Sequence, residues 1–362
     1  LAGGAPVELD LVSNSTGFPV PHVTADSRHV FFLDTAPVTQ QLFCAPIDGS
    51  APTRRVESVR PVEEFQLASD GRHAVFATRV VRELFSVPAG GVVPVPLLAA
   101  GFSFANPGGH FAIRADGARV VYTALEPGQF AANLYSVPIE GGASLLLARG
   151  TFNPPLLSPD GRLAAFLDAG ERRVHLVGTS GGPVTVLSQR STLFTTFQFS
   201  ADSRRLLLGS DLETPRHDEL FQVPIVGGRP VKLNGTLAPL TTFGGRVESF
   251  ALAPGEERAF YAAAEVEYPS LQAFSAAADG SARARLDAPE PGASIEELRP
   301  TPDGARVVLK KRALSGEPQL FSALSAGGDL RRLTPALVPG FELADFELGP
   351  RGRSVVYRAG TA

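Results

Sequence analysis

Three groups of residues have types and spacings that could do chemistry. Gly178-Thr179-Ser180-Gly181-Gly182 fits the Gly-x-Ser-x-Gly pattern of a serine nucleophile. That chemistry needs a strand, a strained elbow and a following helix. Here the serine sits in a Gly-Gly hairpin, so the expectation is a chance match. Asp211, Glu213, His217, Asp218 and Glu219 crowd one segment. Carboxylates with an imidazole can ligate a divalent cation. Arg216 stands among them and the spacing fits no metal loop, so a solvated insertion explains them as well. Histidines are scattered: His22 and His110 lie near the starts of repeats, while His29 and His73 follow Asp turns. Cys44, the single cysteine, excludes an intrachain disulfide and a Cys-rich zinc site. Its counterparts in other repeats are Ser86 and Ser136, so it reads as a buried, inert thiol. No cofactor is expected, and a divalent cation is the one candidate.

The third group is visible only through the elements that would position it. With 37 Gly and 31 Pro among 362 residues, long helices are excluded. Hydrophobic content of 44% and charged content of 19% allow a buried core. A net charge of −4 offers no basic field for nucleic acid. No apolar run approaches the ~18 residues of a membrane-spanning helix, so no transmembrane segment is expected. Only Lys232, Lys310 and Lys311 are lysines, so nearly all bases are arginine. That bias, with the alanine richness, suits a high-GC bacterial genome.

A turn followed by a short apolar run recurs eight times, at Asp26, Asp70, Asp116, Asp160, Asp202, Gly255, Asp303 and Arg351. The spacing is 42 to 53 residues. A second signal follows within most repeats, as in Leu84-Phe85-Ser86-Val87-Pro88, Leu134-Tyr135-Ser136-Val137-Pro138 and Leu220-Phe221-Gln222-Val223-Pro224 before Gly-Gly. Asp-Gly and Gly-Gly between apolar runs mark hairpins. Two hairpins per period make four short antiparallel strands, the period of a propeller blade. The expected fold is all-β: an eight-bladed β-propeller of four-stranded antiparallel blades, one domain over residues 1–362. Its last blade is expected to be a composite of the strand near Leu1–Asp10 and the hairpin after Arg351. Part of that blade has no sequence to fill it, so the native chain is expected to continue beyond this segment.

The innermost strand precedes each turn. Val23, Leu67, Ile113, Leu157, Phe199, Leu252, Pro300 and Leu348 stand three residues before it, and Phe65, Phe111, Phe197, Phe250 and Phe346 five before. This period-2 spacing predicts packing between blades. The same register places Glu63, Glu64, His110, Glu248, Glu296, Glu297 and Asp345 at the mouth of a central channel, with Glu347 slightly deeper. Such a carboxylate ring would draw cations or a basic peptide, and these residues are the candidate ligand-binding site. No catalytic residue is assigned.

The turns, the Leu-Tyr/Phe-x-Val-Pro runs and the Gly-Gly pairs together resemble the TolB-type, WD40-like β-propeller repeat. The absence of Trp departs from the Trp-Asp subclass. The resemblance covers nearly the whole chain and implies a bacterial periplasmic or extracellular location. Similar blades form the gating domain of prolyl oligopeptidase-type serine peptidases. The expected function is a non-enzymatic scaffold that engages a protein or peptide at the channel mouth, without nucleic acid. The alternatives are the gating or substrate-binding propeller of a larger hydrolase, a metal-dependent lyase-type propeller, and a repeat module of a surface adhesion protein.

Overall fold

The computed structural model describes residues 21–34, 40–58, 60–79, 82–104, 111–151, 154–191, 196–239, 245–253, 255, 258–266, 270–314, 316–335 and 341–361. These residues form strands and turns, with no helix among them. The chain divides into two compact units, Leu1–Ser188 and Gln189–Ala362.

The first unit holds four consecutive antiparallel sheets. Sheet one runs His22–Val23, His29–Leu33, Leu42–Pro46, Arg54–Arg55, and sheet two Val62–Leu67, His73–Thr78, Leu84–Pro88, Val95–Pro96. Sheet three is Phe111–Ile113, Arg119–Leu125, Ala132–Pro138, Leu145–Thr151, with Ser103–Phe104 beside its second strand. Sheet four is Leu156–Leu157, Leu163–Leu167, Val174–Gly178, Thr185–Val186.

The second unit continues the series. Sheet five is Thr196–Phe199, Arg205–Ser210, Glu219–Pro224, Val231–Lys232, and sheet six Val247–Leu252, Arg258–Ala263, Gln272–Ala277, Ala284–Arg285. Sheet seven is Ser294–Pro300, Arg306–Arg312, Gln319–Leu324, Arg331–Arg332. The last sheet pairs Phe341–Leu348 with Val355–Thr361 and has two strands among the described residues. The fold is all-β, its eight sheets corresponding in order to the blades of an eight-bladed propeller. The strand expected near Leu1–Asp10, and with it the composite last blade, lies outside the described residues.

Each turn is held by its own side chains. Asp160 Oδ1 accepts from the Arg162 N–H at 3.0 Å and from Ser158 Oγ at 2.6 Å. Ser158 Oγ in turn accepts from the Leu163 N–H at 2.9 Å. Ser200 with Asp202 and Thr301 with Asp303 repeat the arrangement. The residue after the Asp is left-handed in each case: φ is 71° at Gly161, 58° at Ser203 and 67° at Gly304. Glycine adopts this without strain, which explains the Asp-Gly signature. At Gly117 space adds a second reason, because a Cβ there would stand 2.9 Å from Asp70 Cγ.

The apolar clusters lie between sheets. Phe31, Leu42 and Cys44 of sheet one pack with Val62, Phe76 and Val87 of sheet two. Val75 and Leu84 on the other face of sheet two pack with Val120 and Tyr122 of sheet three. The same alternation joins sheets five with six, and six with seven. The predicted first-strand row is only partly buried. Phe111 and Phe346 are sealed, Phe65 and Phe250 are half-buried, and Val23 is exposed. Most of the largest fully buried side chains (Phe31, Phe76, Tyr122, Phe166, Phe260, Tyr261) belong to second strands instead. A middle strand has a neighbour on each side, so its side chains are covered from more directions.

Ser158 is 2% exposed, and Ser158→Ala would strip the fourth turn of its donor and acceptor together. The expected cost is about 1–2 kcal/mol, read as a lower denaturant midpoint with an unchanged m-value. An unshifted midpoint would show that the turn does not depend on this hydroxyl.

Candidate functional site

The carboxylates picked out by the repeat register sit on a shared backbone irregularity. In sheet two, Val62 pairs with Thr78 and Glu64 with Ala77, so Glu63 is the extra residue of a β-bulge. The same shift occurs between Val247 and Ser249, between Ile295 and Glu297, and between Leu343 and Asp345. Glu248, Glu296 and Ala344 are the inserted residues. Strict alternation would put residues three apart on opposite faces. The bulge lets Val62, Val247, Ile295 and Leu343 be buried alongside Phe65, Phe250, Leu298 and Phe346 in the inter-sheet clusters. It also re-aims the polar pair between them. The signal was in the sequence as apolar-x-x-apolar: Val62-Glu-Glu-Phe65, Val247-Glu-Ser-Phe250, Ile295-Glu-Glu-Leu298, Leu343-Ala-Asp-Phe346.

In the second unit these carboxylates are matched by bases. Glu248 pairs with Arg246 and Glu297 with Arg299. Glu296 meets Lys310 at 3.3 Å and also Arg312. Arg312 reaches Glu342 at 3.5 Å, and Asp345 meets Arg358 at 3.0 Å. Arg299 lies 4.6 Å over the Phe346 ring and donates to its carbonyl at 2.7 Å, tying sheet seven to the last sheet. Glu347 is exposed. The second unit thus presents a lattice of alternating charge rather than a bare acidic arc.

The first unit differs. Glu63 and Glu64 are adjacent and half-buried, and Glu64 Oε1 is shut off from solvent without a hydrogen-bond partner. Burial, and then the neighbouring Glu63, push the Glu64 carboxyl up to about 7. His110 lies outside the described residues.

The other candidates are structural. Ser180 is exposed in the hairpin closed by the Gly181 N–H to the Gly178 carbonyl, and its Oγ accepts from Arg114 at 3.1 Å. No helix follows, so there is no nucleophile elbow. In the 211–219 segment Asp211 accepts from Ser191 Oγ at 2.7 Å and from the Arg216 N–H at 3.1 Å. Glu219 accepts from the Glu213 and Thr214 N–H groups at 3.3 and 3.0 Å and from Lys232. These carboxylates shape their own loop. Burial, with Asp211 nearby, pushes Asp218 up to about 6. Among the described residues no three or more His, Cys, Asp or Glu side chains converge as a metal-ligand set. Cys44 is buried, and burial raises its thiol pKa. No described helix is long and apolar enough to cross a membrane.

No protein-family model matches the chain, and no curated protein matches it. Solved structures do. Dipeptidyl peptidase 4 of Porphyromonas gingivalis is similar with a TM-score of 0.64 and 10% identity, over 87% of this chain and 52% of that one. A prolyl endopeptidase is similar at 0.54 and 12% identity, over 90% and 51% of the two chains. An oligogalacturonate lyase in complex with manganese is similar at 0.50 and 12% identity, over 83% and 87%. The chain thus spans about half the length of the peptidases it matches. At these identities the likeness shows the fold alone.

The Glu64 carboxyl supplies a direct test of the site. Its folded pKa is raised, so its neutral form favours the fold, and the benefit is lost as pH rises from about 4.5 to about 7. The melting temperature of Glu64→Gln minus that of the parent should therefore grow across this window and level off above it. A difference independent of pH would mean that Glu64 is solvated.

Proposed function

We propose that the chain is a substrate- or partner-engaging propeller, not catalytic by itself, of the kind that gates a larger hydrolase outside the cytoplasm of a bacterium. One observation carries this reading. Two peptidases match about nine-tenths of this chain with only about half of their own. Ser180 in its hairpin has no nucleophile elbow around it, which supports placing the chemistry elsewhere. The engaging surface is assigned to the first-strand bulge of sheet two, where Glu64 offers a carboxyl oxygen with no partner beside Glu63. A cationic group of a peptide would give Glu64 its missing partner and draw its proton off.

Two measurements test this. The purified chain should not hydrolyse Gly-Pro p-nitroanilide. It should bind a fluorescently labelled proline-containing peptide with a lysine at its amino end, with affinity that falls with salt because such attraction is screened over ~8 Å. Glu64→Gln should weaken that binding roughly tenfold. Turnover by the chain alone would make it an enzyme in its own right. Binding unaffected by Glu64→Gln would move the surface away from sheet two.

A further inference from the structure

Sheets one to seven bury their second strands, and the last sheet does not. Phe76, Tyr122 and Tyr261 lie opposite first-strand phenylalanines, Phe65, Phe111 and Phe250. These three and the residues before them, Val75, Val121 and Phe260, are all 0% exposed. Tyr357 holds the same place opposite Phe346. Yet Tyr357 is 37% exposed and Val356 before it 70%. The difference lies in the neighbour: the other second strands are paired with a third strand, and among the described residues Val355–Thr361 is not.

Sheet seven is open at the matching place. Leu97, Leu233, Leu286 and Leu333 each donate their N–H to the third strand of their own sheet, at Leu84, Leu220, Ala273 and Leu320. The first three are 1–2% exposed. They cluster with Val137, Ala276 and Ala323, from the third strand of the following sheet. Leu333 is 40% exposed. The turn after each third strand completes the cover. A Cβ at Gly141 would stand 2.6 Å from Val95 Cγ1, and one at Gly327 3.0 Å from Ala284 Cβ. Arg331 has the register of Val95 and Ala284, and its side chain is 70% exposed. Where that cover would lie, a cavity of about 590 Å³ opens between sheet seven and the last sheet. Val308, Ser322, Leu333 and Val355 line it together with three bases, Arg306, Arg331 and Arg353, and one acid, Asp303.

We infer that the last sheet takes an added strand from a different polypeptide, an extended segment antiparallel to Val355–Thr361 with apolar residues two apart and an acid three residues past the last of them. Residues 134–142 of sheet three, Leu-Tyr-Ser-Val-Pro-Ile-Glu-Gly-Gly, have this form. There Val137 lies opposite Val120 and Tyr135 opposite Tyr122, so an added strand sets its Val against Val355 and its Tyr against Tyr357. Both side chains then point toward sheet seven, as Val137 and Tyr135 point toward sheet two. Backbone hydrogen bonds to the open edge supply affinity, and the alternate side chains supply specificity. Charge selects the acid. Glu140 shares a cavity with His73 and Ala118, and Arg306 and Arg353 hold those two positions here. A second copy of this chain is a poor donor, because each described third strand is already paired on both sides. The surface lies within the second unit and does not depend on the reading of Glu64.

Fluorescence anisotropy of the whole chain with a labelled peptide, Ala-Asn-Leu-Tyr-Ser-Val-Pro-Ile-Glu-Gly-Gly, tests this. Saturable binding is expected, at least tenfold stronger than for a scrambled peptide of the same composition. Leu333→Asp, at an exposed position, should weaken it roughly tenfold by placing a charge against the incoming Val. Arg353→Glu should weaken it about as much, and a peptide with lysine in place of its glutamate should restore binding to that variant alone. If Leu333→Asp lowers the melting temperature, the charge exchange at Arg353 decides. No binding to the parent, equal binding of the scrambled peptide, or no recovery in the charge exchange would overturn the proposal. A dimer of the parent in light scattering that Leu333→Asp dissolves would give the edge to a second copy and overturn the assignment to a different chain.

Discussion

Everything in this protein depends on the fact that no blade can bury its own apolar surface. A four-stranded sheet of this size has two faces and no interior. Phe76 and Val87 on one face of sheet two are covered by sheet one, and Val75 and Leu84 on the other by sheet three. At ~25 cal/mol per Å² of apolar area removed from water, a fully covered Phe or Leu side chain contributes about 1.5–3 kcal/mol. None of that is available to an isolated sheet. Stability therefore accrues at the contacts between consecutive blades, and each blade is a template for the next.

That constraint decides where polar chemistry can go. Second strands, covered on both sides, are filled by Phe, Tyr, Val, Leu and Ala. The carboxylates lie at strand ends, turns and bulges, and the polar residues inside the third strands are small or uncharged, as Ser86, Ser136, Ser275 and Gln222. The bulges of the first strands show the trade most clearly. Bringing Val62 and Phe65, or Ile295 and Leu298, into the core together requires one extra residue between them. The displaced pair is then polar, as Glu63-Glu64 and Glu296-Glu297. A packing demand thus places carboxylates side by side.

The same repeat produced different electrostatics in its different copies. Glu296 and Glu297 found Lys310, Arg312 and Arg299, and so became part of the joint between sheet seven and the last sheet. Glu64 found no base and keeps its proton to about 7. A side-chain contact between second and third strands diverged in parallel: Arg119, Arg258 and Arg306 donate to Ser136, Ser275 and Ser322, while in sheet two His73 stands at that register and Ser86 Oγ has no partner. Repeats free individual copies to lose a local interaction while neighbours maintain the fold.

The sequence by itself determined the blade number, the strand order and the turns. These are local properties: an Asp followed by a residue able to take positive φ, then a short apolar run, closes a hairpin wherever it occurs. It also determined that Ser180 belongs to a hairpin and Cys44 to a strand. The tertiary structure decided what local patterns cannot carry. Charge partners such as Lys310 with Glu296 are set by strand register, and the contact of Arg299 with Phe346 by the packing of one sheet on the next. The depth of burial moved from first strands to second because coverage depends on neighbours on both sides. Only the packed structure left Glu64 Oε1 and Ser86 Oγ without partners, because an unmet hydrogen bond is a property of three-dimensional surroundings and not of residue type.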